Sequence, residues 1–340
     1  MIRLRGLTAS LQRTIGGSKQ NIGAEYILSM SVYICSKKTM REASACLALV
    51  WVIGLSACFG PKLTVDNYHL EFAPPNGVAI GEGLYCDETE ISNTNWREYM
   101  YWVKRVHGPD SEAYLATLPD TTVWSVVDSC LAIYDDVYLR HPVYDYYPVV
   151  GITQQQAQAY TKWRSDRVFE VLLARLDLIE YRTDQGADDY FSIERYFAGE
   201  LPWATVDDKL RYYPEFRLPT PEEREQILLH SDSLRKTSTK DCELEDCQVC
   251  QEGTWAWSGV QPCQGDSLAT SPTIPVDVGC PGIHNLRGNV GEWSAVPGVA
   301  TGGGWKDDKD VVLQQDTFRT VNRNAWTGFR NVCEWKIRGQ

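Results

Sequence analysis

Hydrophobic residues recur at helical spacing in two long stretches of the chain. Thr94–Val106 is amphipathic, and Ser92 and Asn93 just before it have side chains that commonly cap helices. Gln154–Phe169 follows Thr153, another capping residue, and its apolar side chains fall on one helical stripe. The members of that stripe are Ala157, Tyr160, Trp163 and Val168. The pattern predicts two amphipathic helices.

Shorter apolar runs predict strands, and a capping sequence marks the start of a third helix. Leu84–Ile91 is a segment of strand length, and Pro148–Ile152 is an apolar run of similar length. Thr220 offers a capping hydroxyl, with Pro221 in the first helical position and Glu223 in the third. Beyond residue 231 the chain is rich in Gly and Trp, which predicts short strands and irregular loops.

The N-terminal part has the pattern of an export signal. Ala45–Ala57 is strongly apolar but shorter than the ~20 residues that span a bilayer, and Lys37, Lys38 and Arg41 precede it. It ends in Leu55-Ser56-Ala57-Cys58, which resembles a bacterial lipobox, where the cysteine is lipidated and becomes the new N-terminus. A non-lipidated signal and a buried helix are the alternatives. We predict a lipoprotein signal peptide.

Lipidation of Cys58 sets the predicted organisation of the chain. Residues 1–57 would be leader and signal peptide, 58–74 a tether, and 75–340 one domain with a charged insertion near 170–214. Phe59, rather than an acidic residue, follows the lipobox, as in lipoproteins sorted to the outer membrane. We therefore expect an envelope protein that is held on the outer membrane, faces the periplasm and has other envelope proteins as partners.

Composition excludes some classes of function. The formal net charge is −12, from 33 Lys and Arg against 45 Asp and Glu, whereas nucleic-acid binding needs a basic face. With only 5 well-separated His, a histidine metal cage is disfavoured. Eight cysteines follow Cys58 (Cys86, Cys130, Cys242, Cys247, Cys250, Cys263, Cys280 and Cys333). In an exported protein an even number favours disulfides over a zinc knuckle at 242–263.

Seven landmark sequences occur in a fixed order and carry a family resemblance. They are Glu90–Asn93, Pro148–Ile152 with Tyr160 and Trp163, Arg217–Thr220, Trp255–Gly259, Asn285–Trp293, Gly302–Trp305 and Gly328–Arg330. The set resembles the formylglycine-generating enzyme, or sulfatase-modifying factor, family. The resemblance implies an α+β, C-type-lectin-like fold with much irregular loop structure. Trp163–Val168 and the charged insertion after it further resemble a lipoprotein branch of gliding motility and type IX secretion.

The resemblance also implies a chemistry, which the residues of this chain do not match. Active members oxidise a cysteine of a sulfatase and hold copper with two cysteines, at places that correspond to Asp307 and Val312 here. Soft thiolates select Cu(I), whereas Asp307 offers a hard oxygen and Val312 no ligand. We therefore expect copper to be absent and assign no catalytic residue.

A second cysteine pair of active animal members is also replaced. Its two places correspond to Thr161 and Asn331. Cys333 lies two residues beyond Asn331, and Cys86 is one candidate for a disulfide bond with it.

A calcium site is the one metal centre that the resemblance leaves open. The family's Asn-x-x-Gly-Asn-x-x-Glu-Trp loop holds Ca²⁺, and here the ligands would be the side chains of Asn285 and Glu292 and the carbonyls of Gly288 and Val290. Carboxylate and carbonyl oxygens suit calcium, which is expected as a structural cofactor. The alternative is a tight turn at Gly288 with Trp293 in the core.

Three hypotheses follow. The first is a non-catalytic, lipid-anchored scaffold or binding module, and the second is a diverged oxidase of protein thiols. The third is a lectin-like sugar or peptide receptor with an aromatic surface around Trp255, Trp257 and Trp326. Four arginines near the landmarks could line a ligand groove, but we favour structural bonds to carboxylates and carbonyls. They are Arg217, Arg319, Arg323 and Arg330.

Overall fold

The computed structural model describes residues 63–81, 83–241, 255–256, 270–273, 282–307, 317–320 and 322–339. All of them belong to one unit, Pro61–Gln340. Cys58, Val312 and the cysteines between 242 and 280, on which several predictions rest, lie outside these ranges. Within the described ranges, no helix combines the length and the apolar character needed to cross a bilayer.

All described α-helices lie before residue 242, whereas most of the described strands follow it. The α-helices are α1 (Tyr68–Glu71), α2 (Asn93–His107), α3 (Glu112–Leu115), α4 (Val123–Val127), α5 (Ile133–Val137), α6 (Gln154–Arg175), α7 (Ile193–Phe197) and α8 (Pro221–Asp241). The strands are β1 (Gly77–Gly81), β2 (Leu84–Asp87), β3 (Tyr212–Arg217), β4 (Trp255–Ala256), β5 (Arg287–Gly288), β6 (Gly291–Trp293), β7 (Val299–Thr301), β8 (Thr317–Arg319), β9 (Thr327–Gly328) and β10 (Val332–Ile337). Single 3₁₀ turns lie at Ser129–Leu131 and Pro142–Tyr144.

The capping signals placed the starts of the three long helices correctly. The Ser92 hydroxyl accepts from the backbone N–H of Asn95 at 3.3 Å, and the Asn95 side chain accepts from that of Ser92 at 3.2 Å. The same reciprocal bonding joins Thr153 to Gln156 before α6. Thr220 and Glu223 repeat it at α8, with N···O distances of 3.2 and 2.9 Å. These bonds satisfy N–H groups that a first helical turn leaves free.

Tertiary packing changes three of the predicted elements. The strand predicted over Leu84–Ile91 ends at Asp87. Pro148–Ile152 is not a strand: it is a buried irregular segment whose only bridge joins Pro148 to Ser92. Gly151, with φ +73°, turns the chain there, so no ladder continues. Helix α6 runs six residues past the predicted end at Phe169, because its last turns bury Leu172 and Leu173 completely.

A four-stranded antiparallel sheet in the order β1-β2-β10-β3 forms the centre of the fold. Helix α6 packs on one face of it, where the Ser165 hydroxyl accepts from the backbone N–H of Phe216 at 2.8 Å. The other face carries Cys86 and Val332 and packs against Ile227 of α8. The sheet is thereby covered by a helix on each side, and the α+β class is confirmed.

A second sheet, in the order β8-β7-β6-β9, supports the loops around residues 285–305. Its strand β6 pairs antiparallel with β7 and parallel with β9. Trp293 of β6 is 1% exposed and belongs to the main hydrophobic core, together with Trp96, Tyr160 and Phe329. Trp293 therefore packs in the core, as the turn interpretation of this segment expected.

The charged insertion packs against α6 through an aromatic cluster. Phe191 and Tyr196 of the insertion and Phe169 of α6 are fully or almost fully buried in it. Tyr68 and Phe72 pack into the same cluster, so part of the segment assigned to a tether is folded into the domain. The physical reason is that two large aromatic side chains gain more from burial than a solvated tether could provide.

Candidate functional site

Left-handed backbone positions shape the Asn285–Trp293 loop. Asn285, Gly288 and Asn289 have φ values of 55°, 81° and 53°, a region that Gly and Asn adopt most readily. The backbone N–H of Gly288 donates to the carbonyl of Gly302 at 2.9 Å, which joins the loop to the start of the Gly302–Trp305 landmark. The Asn-x-x-Gly-Asn spacing thus specifies the local bends of this loop.

Glu90 accepts hydrogen bonds from both asparagines of the loop. The side-chain N–H groups of Asn285 and Asn289 each donate to its carboxylate at 3.0 Å, one to each oxygen. Glu90 is 1% exposed, and burial raises its pKa to about 8, while the nearby guanidinium of Arg330 acts in the opposite direction. This contact joins residues nearly 200 positions apart, and no motif of the sequence predicts it.

Glu292 lies between two arginines. Arg330 Nε donates to one carboxylate oxygen at 2.6 Å, and Arg224 Nη1 donates to the other at 3.3 Å. The side chains of Arg330, Glu292 and Arg224 are 0%, 1% and 3% exposed. We call Glu90, Arg224, Glu292 and Arg330 the buried charge cluster; in it, two guanidinium groups face two carboxyl groups.

The guanidinium groups also hold backbone carbonyls. Arg330 Nη2 donates to the carbonyl of His284 at 2.5 Å, and its Nη1 donates to that of Asp87 at 3.1 Å. Arg224 Nη2 donates to the carbonyl of Leu286. Burial acts to lower the pKa of Arg330, but Glu292 and the neighbouring acidic groups outweigh it, so the pKa is raised. Arg330 therefore stays charged, and the two arginines tie the loop to β2 and α8.

The four predicted calcium ligands do not fit a calcium ion in this arrangement. Both carboxylate oxygens of Glu292 accept from guanidinium groups, and the Asn285 amide nitrogen faces Glu90. Two positive groups beside Glu292 would repel a divalent cation. Among the described residues, moreover, no group of three His, Cys, Asp or Glu side chains is placed to hold a metal. The carbonyls of Gly288 and Val290 would have to bind calcium without Glu292.

Asp307 closes a turn at the place that the resemblance assigns to the first copper cysteine. Its Oδ2 accepts from the backbone N–H of Gly304 at 2.8 Å, and its own N–H donates to the carbonyl of Gly304 at 3.0 Å. Trp305 within this turn is fully buried and donates from Nε1 to the carbonyl of Ala325 at 2.7 Å. The carboxylate therefore has a structural role in the Gly302–Trp305 landmark.

Four other positions were considered for disulfide bonds, and all of them are buried: Thr161, Asn331, Cys86 and Cys333. Thr161 donates from its hydroxyl to the carbonyl of Gln158 at 2.8 Å, and the backbone N–H of Asn331 donates to Asp87 at 3.0 Å. Cys86 and Cys333 are free thiols, so the pairing suggested for them is wrong. Cys86 lies opposite Val332 in the β2–β10 ladder, and Cys333, the next residue, points to the opposite face. Cys130, in contrast, is disulfide-bonded.

The four landmark arginines divide into two groups. Arg330 is in the buried charge cluster, and Arg217 donates to both oxygens of Glu223, at 2.7 and 2.6 Å, and to Glu334 at 2.8 Å. Arg319 and Arg323 are exposed. The structural interpretation holds for the first pair, and only the second pair remains available to a ligand.

The proposed aromatic surface is only partly described. Trp257 lies outside the described residues, and of Trp255 the structure describes only the backbone of β4. Trp326 is half-buried, and the ammonium group of Lys306 lies 3.4 Å from the centre of its ring. A lysine on the ring face leaves less of it open for stacking on a sugar.

Comparison with known proteins agrees with this architecture and with the ordered landmarks. Residues 37–335 match the family described as the sulfatase-modifying factor enzyme 1-like domain. The chain belongs to this family. A search of curated proteins found no match. The fold assignment is therefore that of the sulfatase-modifying-factor family, as the resemblance implied.

Solved structures of similar proteins are distant in sequence. One is the crystal structure of CarF, with 15% identity and a TM-score of 0.36 over 74% of this chain and 86% of that chain. Another is variable protein 1 of Treponema denticola, with 14% identity and a TM-score of 0.32 over 74% of this chain and 84% of that chain.

Proposed function

We propose that this sulfatase-modifying-factor-family protein is non-catalytic and acts as a scaffold or binding module of the bacterial cell envelope. The observation that carries the proposal is the role of Asp307, which closes the turn to Gly304 where active members have a copper cysteine. A carboxylate is a hard ligand, and Cu(I) needs soft thiolates. Without that ligand the oxidation of a protein cysteine has no metal to activate oxygen.

The contacts of the landmark side chains support a structural role for the landmark loops. Arg330 and Glu292 bond to each other at 2.6 Å and are fully buried, so they cannot contact a substrate. Arg217 is similarly engaged by Glu223 and Glu334. Partner binding would instead use exposed residues such as Arg319 and Arg323. The fold by itself does not determine which partner is bound.

Copper binding is the sharpest test. The chain from residue 58 onward, with Cys58→Ser, would be incubated with Cu(I), and bound copper measured by mass spectrometry. Oxygen uptake with a cysteine-containing peptide would be followed in parallel. We expect neither stoichiometric copper nor oxygen uptake, and the same result for Asp307→Ala. One copper per chain together with oxidation of the peptide cysteine would establish the thiol oxidase instead.

We propose further that a lipid on Cys58 anchors the protein to the outer membrane, facing the periplasm. Support comes from the Leu55–Cys58 lipobox and the apolar run before it. In cells fed labelled fatty acid, the wild-type chain should incorporate label and Cys58→Ala should not, while Cys46→Ala, inside the apolar run, should behave as wild type. Label in the Cys58→Ala protein would contradict the anchor.

The specific form of the scaffold hypothesis is a role in gliding motility or type IX secretion. It rests on the resemblance of Trp163–Val168 and the insertion after it to that lipoprotein branch. Cross-linking in intact cells should then join the protein to components of the secretion machinery, and the link should be lost when exposed residues of the insertion are substituted. Cross-links to sugar polymers alone would favour the lectin-like alternative.

A further inference from the structure

We propose that the guanidinium group of Arg224 takes the place of the calcium ion in the Asn285–Trp293 loop. The loop would then be held by a cation of the chain itself and would not depend on calcium. The inference concerns this chain's departure from its family and does not require the proposed function to be correct.

Arg224 reaches oxygen atoms of the kind that a calcium ion would use. Its Nη1 lies 3.3 Å from Glu292 Oε2, and its Nη2 donates to the carbonyl of Leu286. One of these acceptors is the predicted carboxylate ligand, and the other is a carbonyl of the same loop. A planar guanidinium has five N–H donors in a fork, so it can join a carboxylate to a carbonyl as a bound cation would.

Charge favours the arginine over an added ion. Arg224 and Glu292 are 3% and 1% exposed, so a carboxylate here needs a positive partner. Arg330, bonded to the other oxygen at 2.6 Å, supplies a second positive charge. The two guanidinium groups already match the largest negative charge that Glu292 and Glu90, the other carboxyl group of the cluster, can carry together. A calcium ion would bring two more positive charges into a region of low dielectric beside two arginines.

Gly302 lies next to the guanidinium group of Arg224 and leaves space for it. A Cβ at Gly302 would lie 2.8 Å from the carbonyl oxygen of Leu286 and 3.0 Å from Arg224 Nη2. Gly302 also has φ +90°, which L-residues rarely adopt. Glycine at this position therefore leaves space for the guanidinium next to the loop.

The position of Arg224 is fixed by the start of α8. Its backbone N–H donates to the carbonyl of Thr220 at 2.9 Å, within the first turn that Thr220 and Glu223 cap. The capping bonds hold the helix start against the loop, so the arginine arrives in the cluster already oriented. A flexible side chain without this support would lose more entropy on binding the loop.

The test measures thermal unfolding and calcium binding of the chain from residue 58, carrying Cys58→Ser. Wild-type Tm should be equal in EGTA and in millimolar calcium, a range that extracellular calcium modules use. Arg224→Met should have a lower Tm in EGTA and recover when calcium is added. At about ten times the Kd, the recovery should be about 3–6 °C. Magnesium, which demands a stricter geometry, should not replace calcium.

Two control variants separate replacement from general destabilisation. Arg217→Met removes the arginine at the end of β3 that bonds to Glu223 of α8 and to Glu334, and its Tm should fall without any response to calcium. Arg224→Met combined with Glu292→Gln should also lose the response, because the carboxylate is gone. Equilibrium dialysis with radioactive calcium should show binding only to Arg224→Met, and this measurement needs no unfolding transition.

Several results would overturn the proposal. One is stoichiometric calcium binding by the wild-type chain that Glu292→Gln abolishes, since the ion would then share the loop with the arginine. Another is an Arg224→Met protein that binds no calcium, whether or not it is destabilised. If Arg224→Met does not fold in EGTA, folding during expression with calcium supports the proposal, and failure with calcium overturns it.

Discussion

Replacing Arg330 with methionine is expected to lower the free energy of unfolding by about 3–5 kcal/mol. Arg330 is fully buried, and methionine would fill much of its space without the charge. The substitution removes the 2.6 Å bond to Glu292 and the donors to the carbonyls of His284 and Asp87. Glu90 and Glu292 would then face Arg224 alone. Breaking one side of a buried ion pair costs this much because the remaining charge stays desolvated.

Urea unfolding followed by tryptophan fluorescence measures this loss, and the expected Tm decrease is about 6–20 °C. The control is Lys162→Met, which removes a 3.0 Å ion pair with Glu194 whose side chains are 64% and 75% exposed. That loss should stay below about 1 kcal/mol. If Arg330→Met also loses less than about 1 kcal/mol with an unchanged m-value, the reasoning on the cluster is refuted.

Three further predictions concern groups near the cluster. Gly302→Ala should lower the free energy of unfolding by about 1–3 kcal/mol, because its Cβ would lie 2.8 Å from the carbonyl oxygen of Leu286. Chemical denaturation measures this loss, and an unchanged free energy would contradict the close approach. Burial raises the pKa of Glu90 from 4.5 to about 8, so the native state keeps a proton that the unfolded chain releases. Wild-type stability should therefore fall as the pH rises through this window, and Glu90→Gln should show a smaller fall; equal slopes would argue against it. Burial also raises the pKa of the Cys86 thiol to about 12, so Cys86 and Cys333 should resist a thiol reagent at pH 8 until unfolding. After denaturation, the wild type should have two more thiols that react with the reagent than the double variant Cys86→Ala/Cys333→Ala. Rapid reaction of these two thiols in the folded protein would exclude their burial.

Local sequence signals located the helices because their physical causes are local. The hydroxyls of Ser92, Thr153 and Thr220 bond three residues ahead, so each cap is visible in a window of four residues. Pro148–Ile152 was misread for the opposite reason. It is apolar like a strand, but the bonds that hold it go to Ile91 and Asn324 rather than to a ladder.

The candidate site depended much more on contacts that no sequence window contains. The motif of Asn285, Gly288 and Asn289 predicted a tightly bent loop, and positive φ values at all three positions agree with it. It could not predict that Glu90 accepts from both asparagines, because those residues are nearly 200 positions away. The only signal that the sequence offered for Glu90 was a carboxyl group within a landmark sequence.

Residue identity and short spacing were enough to identify the family, the α+β class and the helix starts, and to show that positions 307 and 312 are not cysteines. The groups that hold Glu292 became visible only in the folded chain. Arg224 and Arg330 come from α8 and from the end of the chain, and they meet the carboxylate only when α8, the loop and β10 pack together. Burial then makes their charges matter, since a guanidinium that water would screen at the surface becomes a strong partner inside the protein.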